Sequence, residues 1–254
     1  ELVDVSFIAP PASDVHAIEA RPSYMIKVAK ANLVLKVGLE LDLWIDPIID
    51  GSRNGHLTVV DCSKYVQPLE VPSFKADARY GDLHRFGNPH FWLSPQNAKP
   101  ITDAIIEALA KVDPEHSELF STNRYQLLQE INSEIERLQP KLAQLKGTPI
   151  VFYHNSWPYF DAFAGTQASA FVEPFPGVAP SPTQIKKLID LITANKIKVI
   201  AMEPYFDKRV PEKIAAETGA KVVTLFPSIG GRNKEETYGQ WLESNIDAIL
   251  GAIR

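Results

Sequence analysis

Six histidines are the residues of this sequence best equipped for chemistry: His16, His56, His84, His90, His116 and His154. A neutral imidazole can hold a metal, pass a proton, or simply hydrogen-bond inside a core. His16 follows Pro10-Pro11-Ala12-Ser13-Asp14-Val15, His90 lies in Gly87-Asn88-Pro89-His90-Phe91-Trp92-Leu93-Ser94-Pro95, and His154 ends the run Ile150-Val151-Phe152-Tyr153. Each stands where a strand or loop turns toward a helix. In open α/β sheets ligands bind at the carboxyl ends of the strands, so these three imidazoles, drawn from both halves of the chain, could converge on one site. Taken singly, each also fits a hydrogen-bonded structural histidine. His56 and His116 have polar neighbours and read as solvated, at a turn and a helix start. His84 stands six residues before His90 in Tyr80-Gly81-Asp82-Leu83-His84-Arg85-Phe86, a loop that could fold back on the same site.

Two carboxylates end apolar runs, Glu173 before Pro174 and Glu203 before Pro204. Glu203 could ligate a cation, orient a ligating imidazole, or pair with an arginine. Glu173 heads the proline-rich segment Pro174-Phe175-Pro176-Gly177-Val178-Ala179-Pro180-Ser181-Pro182 and reads as loop architecture. The one cysteine, Cys62, excludes an intrachain disulfide and a thiolate cluster, so any metal must be held by histidine and carboxylate. Gly-x-Ser-x-Gly, Gly-x-x-x-x-Gly-Lys-Ser/Thr, Gly-x-Gly-x-x-Gly and His-Glu-x-x-His are absent, and Gly230-Gly231-Arg232 is a lone glycine pair.

The elements that must position these groups follow from the apolar pattern. Short β-branched runs at Val3 to Ile8, Leu33 to Val37, Thr58 to Asp61, Thr148 to Tyr153, Lys196 to Met202 and Lys221 to Phe226 read as buried strands. Helical patterns lie between them, for example Pro182 to Ala194 and Pro211 to Thr218 before Gly219, and the alternation implies parallel sheets in an α/β fold. From about His116 to Lys146 the spacing of Tyr125, Leu128, Ile131, Ile135, Leu138, Leu142 and Leu145 predicts one long amphipathic helix, with Pro140 expected to kink it or split off its last turn. That helix divides the chain into an N-terminal α/β lobe at 1–115, the linking helix at 116–146, and a C-terminal α/β lobe at 147–254. At 254 residues, 45% hydrophobic and 22% charged, the composition suits a globular protein large enough for two such cores. A net charge of −5 with no Lys/Arg block excludes nucleic acid as a partner, and no stretch approaches the length of a membrane span.

Several segments together carry a resemblance. Ser13-Asp14-Val15-His16-Ala17-Ile18-Glu19-Ala20-Arg21-Pro22-Ser23 resembles an Asp-Pro-His-x-Tyr-Glu-Pro-x-Pro-Ser segment, and Asn88-Pro89-His90-Phe91-Trp92-Leu93-Ser94-Pro95 resembles Asp-Pro-His-x-Trp-Leu-Asp-Pro. Tyr153 to Phe160, Met202-Glu203-Pro204-Tyr205-Phe206, and Glu236-Thr237-Tyr238 through Asn245 match further segments in the same order. The chain is thereby similar to the cluster A-I substrate-binding proteins of bacterial zinc and manganese ABC importers, over nearly its whole length.

The resemblance implies two α/β lobes with parallel sheets joined by a rigid backbone helix, with a metal in the cleft between them held by His16, His90, His154 and Glu203. Three departures stand out. Only about fifteen residues precede His16, where the family has a further strand and helix, so the start reads as truncated. No histidine-rich acidic loop precedes His90. The Asp that many members place after the last strand aligns with Phe226, which opens the fourth ligand position to Glu203, His84, Glu173 or water. Three imidazoles with at most one carboxylate favour Zn²⁺ over Mn²⁺. The implied role is capture of the ion and delivery to an ABC permease by a monomer that is periplasmic or lipid-anchored at the outer face of the cytoplasmic membrane. The alternative is an enzyme, a mononuclear zinc hydrolase or hydratase with Glu203 as general base.

Overall fold

The computed structural model describes residues 2–73 and 84–254. The first lobe holds a two-stranded parallel sheet of β1 (Leu33–Lys36) and β2 (Thr58–Asp61), paired from Leu33 opposite Thr58 to Lys36 opposite Asp61. Helices α1 (Pro22–Ala29) and α2 (Ile45–Ser52) pack on each other, and α3 (Ala98–Val112) covers the sheet. Pro22 occupies the first helical turn of α1, where its missing N–H costs nothing.

The expected strand at Val3 to Ile8 is not formed: these residues join no ladder among the described residues, and Val5 and Phe7 are 83% and 62% exposed. An apolar run becomes a strand only where a neighbouring backbone pairs its amides and carbonyls, and here the Phe7 carbonyl instead accepts from a side chain, the Lys27 ammonium at 3.0 Å.

The long helix α4 runs unbroken from Ser117–Leu145, 29 residues or about 43 Å. Pro140 does not split it, because Pro140 and Glu136 are exposed and water can satisfy the carbonyl that the proline leaves free. Of the expected stripe, Ile131, Leu138, Leu142 and Leu145 are buried and Leu128 and Ile135 half-buried, whereas Tyr125 is 63% exposed; Phe120 is buried in addition at the α3 end.

The second lobe is a four-stranded all-parallel sheet in the order β4-β3-β5-β6, from β3 (Pro149–Phe152), β4 (Gln167–Phe171), β5 (Val199–Met202) and β6 (Lys221–Thr224). Between them run α5 (Pro158–Ala164), α6 (Pro182–Asn195) and α7 (Arg209–Thr218), and α8 (Tyr238–Ile253) ends the chain. Alternation sorts the strand residues by face. Ile150, Phe152, Val199 and Ala201 pack with α4 and α8 through Leu138, Leu142, Trp241 and Ile246, while Val151, Ile200 and Met202 pack with α6 and α7 through Leu188, Ile192 and Ile214. Strand β4 has too little β-branched character to stand out in the sequence; it is an edge strand whose first three residues are exposed.

Candidate metal centre

Strand register brings the second-lobe groups together. Phe152 lies opposite Phe171 on one side and Ala201 on the other, so two residues further on His154 meets Glu173 and Glu203 at the carboxyl ends of β3, β4 and β5. The β3–β4 pairing persists past the strands, since Glu173 N–H donates to the Tyr153 carbonyl at 3.0 Å. From the first lobe, His90 opens a short 3-10 turn at Phe91–Leu93, and His16 lies in the irregular segment before α1, where Trp44 Nε1 donates to the Val15 carbonyl at 2.8 Å.

His16, His90 and His154 converge. Each offers one donor atom, and the three atoms lie within 4.8 Å of one another. Their ring centroids are 5.1 to 5.6 Å apart. The three rings are held alike, each by Nδ1. His16 Nδ1 meets Asp14 Oδ1 at 2.8 Å, His90 Nδ1 meets Asn88 Oδ1 at 2.9 Å, and His154 Nδ1 meets Glu173 Oε2 at 2.9 Å. In the first two pairs the same oxygen also accepts the histidine backbone N–H, at 3.0 and 3.1 Å. Fixing Nδ1 leaves Nε2 to face the cleft, and the Nε2 atoms of His16 and His90 are buried with no hydrogen-bond partner. Two buried, unpartnered nitrogens at the rim of a common point, with a third imidazole beside them, form a donor set suited to a divalent transition ion.

The electrostatics prepare these rings unequally. Burial, aided by the other histidines, drives His90 well below the ordinary imidazole value and so keeps it neutral. Burial acts on His154 in the same sense, but the Glu173 hydrogen bond and the charges of Glu203 and Asp14 outweigh it and raise His154. Although burial opposes it, the contacts with His16 hold Asp14 below the usual carboxylate range.

Glu203 is fully buried, with its pKa raised by that burial. Its Oε1 accepts from Ser156 Oγ at 2.6 Å and from Trp157 Nε1 at 2.9 Å, its Oε2 has no partner, and it is not among the mutually close donors. Glu173 heads its proline-rich loop as expected, but its carboxylate also holds His154. That role and the Asp14 and Asn88 acceptors were missed from sequence, although an acceptor two residues before a histidine recurs in Asp14-Val15-His16 and Asn88-Pro89-His90. Phe226 gives its backbone to α8: its N–H donates to Asn245 Oδ1 at 2.9 Å, and its carbonyl accepts from Trp241 Nε1 at 2.7 Å. His84 lies at the centre, its ring stacked on His16 at 5.4 Å, while the rest of its expected loop at 80–83 falls outside the described residues. His56 is exposed, and His116 sits away from the centre, paired to Asp113 at 2.8 Å.

Known proteins are similar to this chain over nearly its whole length. The family described as zinc-uptake complex component A periplasmic, ZnuA, matches residues 1–252. The iron-binding protein YfeA of Yersinia pestis is 25% identical over 96% of this chain and 78% of its own length. The high-affinity zinc uptake system protein ZnuA of Bacillus subtilis strain 168 is 23% identical over 98% and 81%. A crystal structure of ZnuA superposes with a TM-score of 0.84 at 27% identity, covering 99% of this chain and 91% of that one. With a three-histidine centre between two parallel-sheet lobes and a family match that spans all but the last two residues, the chain belongs to the ZnuA family of periplasmic zinc-uptake components.

Proposed function

We propose that this protein binds a divalent transition metal with high affinity, zinc first among them, and delivers it to the membrane permease of an ABC importer. The observation that carries this reading is the trio His16, His90 and His154, each fixed through Nδ1 and turned toward one point. Nitrogen donors suit Zn²⁺ in tetrahedral coordination, whereas Mn²⁺ favours oxygen. Relatives named for zinc and for iron leave the cargo to be fixed by the donor set. Glu203 completes the reading as the buried carboxylate beside the ligands, its negative charge acting on His154 and on the ion.

The protein acts as a carrier, not a hydrolase. Glu203 has one oxygen bound by Ser156 and Trp157, and the family that matches residues 1–252 is one of zinc-uptake components. The working protein is a periplasmic or lipid-anchored monomer with lobes at 1–115 and 147–254 about the helix at 116–146. Metal analysis of the purified protein, with Zn²⁺ and Mn²⁺ in competition, tests the reading: one zinc per chain that excess Mn²⁺ does not displace is expected, and preferential Mn²⁺ loading overturns the zinc assignment. Glu203→Gln should lower zinc affinity by at least about tenfold, and an unchanged affinity removes Glu203 from the centre.

A further inference from the structure

The three rings leave a tetrahedral ion one position short, and the neighbouring groups differ in their freedom to fill it. Glu173 is engaged by His154, Glu203 Oε1 by Ser156 and Trp157, and Phe226 has only a hydrocarbon ring. Two free donors remain, Glu203 Oε2 and His84 Nε2, each buried without a partner as are the Nε2 atoms of His16 and His90. Of the two, His84 offers nitrogen like the converging trio and stacks its ring on His16. The Leu39 backbone hydrogen-bonds its ring, and since Nε2 is unpartnered, that bond falls on Nδ1, the arrangement already seen in the three converging imidazoles. Its centroid lies 5.4 Å from His16 and 6.3 Å from His90, against 5.1 to 5.6 Å among the three. Like Glu203, His84 is not among the donors that lie within 4.8 Å of one another, so its ring would have to move inward as an ion draws the donors together.

The backbone around His84 is built to place it. Gly38, Leu39 and Glu40 follow one another in the left-handed region at φ +88°, +50° and +66°, a sequence of torsions that two side-chain-bearing residues adopt only under constraint. Asp42 supplies part of that constraint by accepting the N–H groups of Val37 and Gly38 at 2.5 and 3.0 Å. A Cβ at position 38 would come within 2.1 Å of Asp61 Oδ1, so only glycine fits there. The turn presents Leu39 to the His84 ring and Glu40 to the next residue, where the Glu40 carboxylate accepts the Arg85 backbone N–H at 3.0 Å and its Nε at 2.9 Å, and also meets Nη2. One strained turn thus grips residues 84 and 85 by backbone and side chain.

We propose that His84 is the fourth ligand of the bound ion, giving an all-nitrogen site, and that the Gly38–Glu40 turn with its Glu40–Arg85 pair holds it in position. The inference rests on the metal-carrier reading. A four-imidazole cage suits zinc and disfavours oxygen-seeking Mn²⁺ more strongly than three imidazoles and a water would.

The test is X-ray absorption of the zinc-loaded protein with competitive zinc titration and Co²⁺ absorption on wild type, His84→Ala and Glu40→Gln. Four imidazoles in wild type are expected. In His84→Ala, three should remain, with zinc affinity lower by more than about tenfold and the intense visible bands of tetrahedral Co²⁺ weakened as water enters. Glu40→Gln leaves the imidazole intact and should lose affinity less, keeping the four-imidazole signature at saturation; it also decides the question should His84→Ala fail to fold. Wild type with three imidazoles, or His84→Ala with unchanged affinity and Co²⁺ spectrum, overturns the His84 assignment alone. Wild type that fails to take up stoichiometric zinc overturns the carrier reading beneath it.

Discussion

A carboxylate holds Nδ1 of His16 and of His154, but an amide holds that of His90, and the reason is visible in what Asn88 does with its other atom. Asn88 Nδ2 donates to the Asn155 carbonyl at 2.7 Å and to Glu70 Oε2 at 3.2 Å, two acceptors that an aspartate would repel. Glu173 has a different task, because it both aims His154 and raises its pKa. Glu173→Ala should therefore lower zinc affinity by about 10- to 100-fold in a chelator competition, with Glu173→Gln losing less because its carbonyl can still accept from Nδ1. The pH dependence follows from the same bond. Zinc needs the neutral ring, and His154 is raised in the metal-free protein, so affinity should hold at alkaline pH and begin to fall above 6.5 as pH drops. His90, already driven neutral, adds no competing proton in that range. Titration of Glu173→Gln should show the fall displaced to lower pH; an undisplaced curve would remove Glu173 as its cause.

The elements were legible where a single rule decided them. β2 is found at Thr58–Asp61 as the apolar run predicts, and α6 starts at Pro182 where a Ser181 capping box closes its first turn. What the sequence hid depends on partners: Val3 to Ile8 has strand composition but no ladder, and β4 is a strand chiefly because β3 lies beside it. The centre divides the same way. Its three imidazoles were visible as residues, whereas Glu173 as the group that aims His154, and Leu39 and Glu40 as the groups that hold residues 84 and 85, emerge only from sheet register and a left-handed turn. Helix α4 sharpens the point, since periodicity put Tyr125 and Leu138 on one stripe while burial separates them, at 63% and 0% exposed. Leu138→Ala should cost about 2 to 5 kcal/mol in urea unfolding, and Tyr125→Ala within about 0.5 kcal/mol. Equal losses would mean that the helix packs along its whole length.

At the scale of the molecule, α4 is tied toward both ends by ion pairs, with Ile131 buried at its midpoint and Tyr125 exposed. Arg124 pairs with Asp103 on α3, while Arg137 and Lys141 reach Glu243 and Asp247 on α8 at 2.6 to 3.0 Å. The lobes also touch across the cleft. Tyr159 of α5 is buried in the first lobe's core and donates to the Asn88 carbonyl at 2.8 Å, and Trp92 Nε1 donates to the Pro227 carbonyl at 2.7 Å. These contacts leave little freedom for wide hinge opening, so exchange of the ion is expected to run through the cleft of about 240 Å³ lined by Glu70, His84, Asn88, His154 and Asn155. Glu70 is its latch. Held at φ +54°, it accepts from Asn88 on its own side at 3.2 Å and from Asn155 on the other at 2.7 Å. Glu70→Ala removes that bridge without touching a ligand. Zinc should then dissociate several-fold faster in stopped-flow chelator chase, with the association rate little changed, because affinity differences within one site fall mainly on the off-rate. Because ligand binding stabilises only the folded state, the variant's zinc-dependent rise in melting temperature at fixed zinc should shrink in step with its weaker affinity. An unaltered off-rate in the folded variant would show that the ion leaves by another path and that rigidity about α4 alone sets its retention.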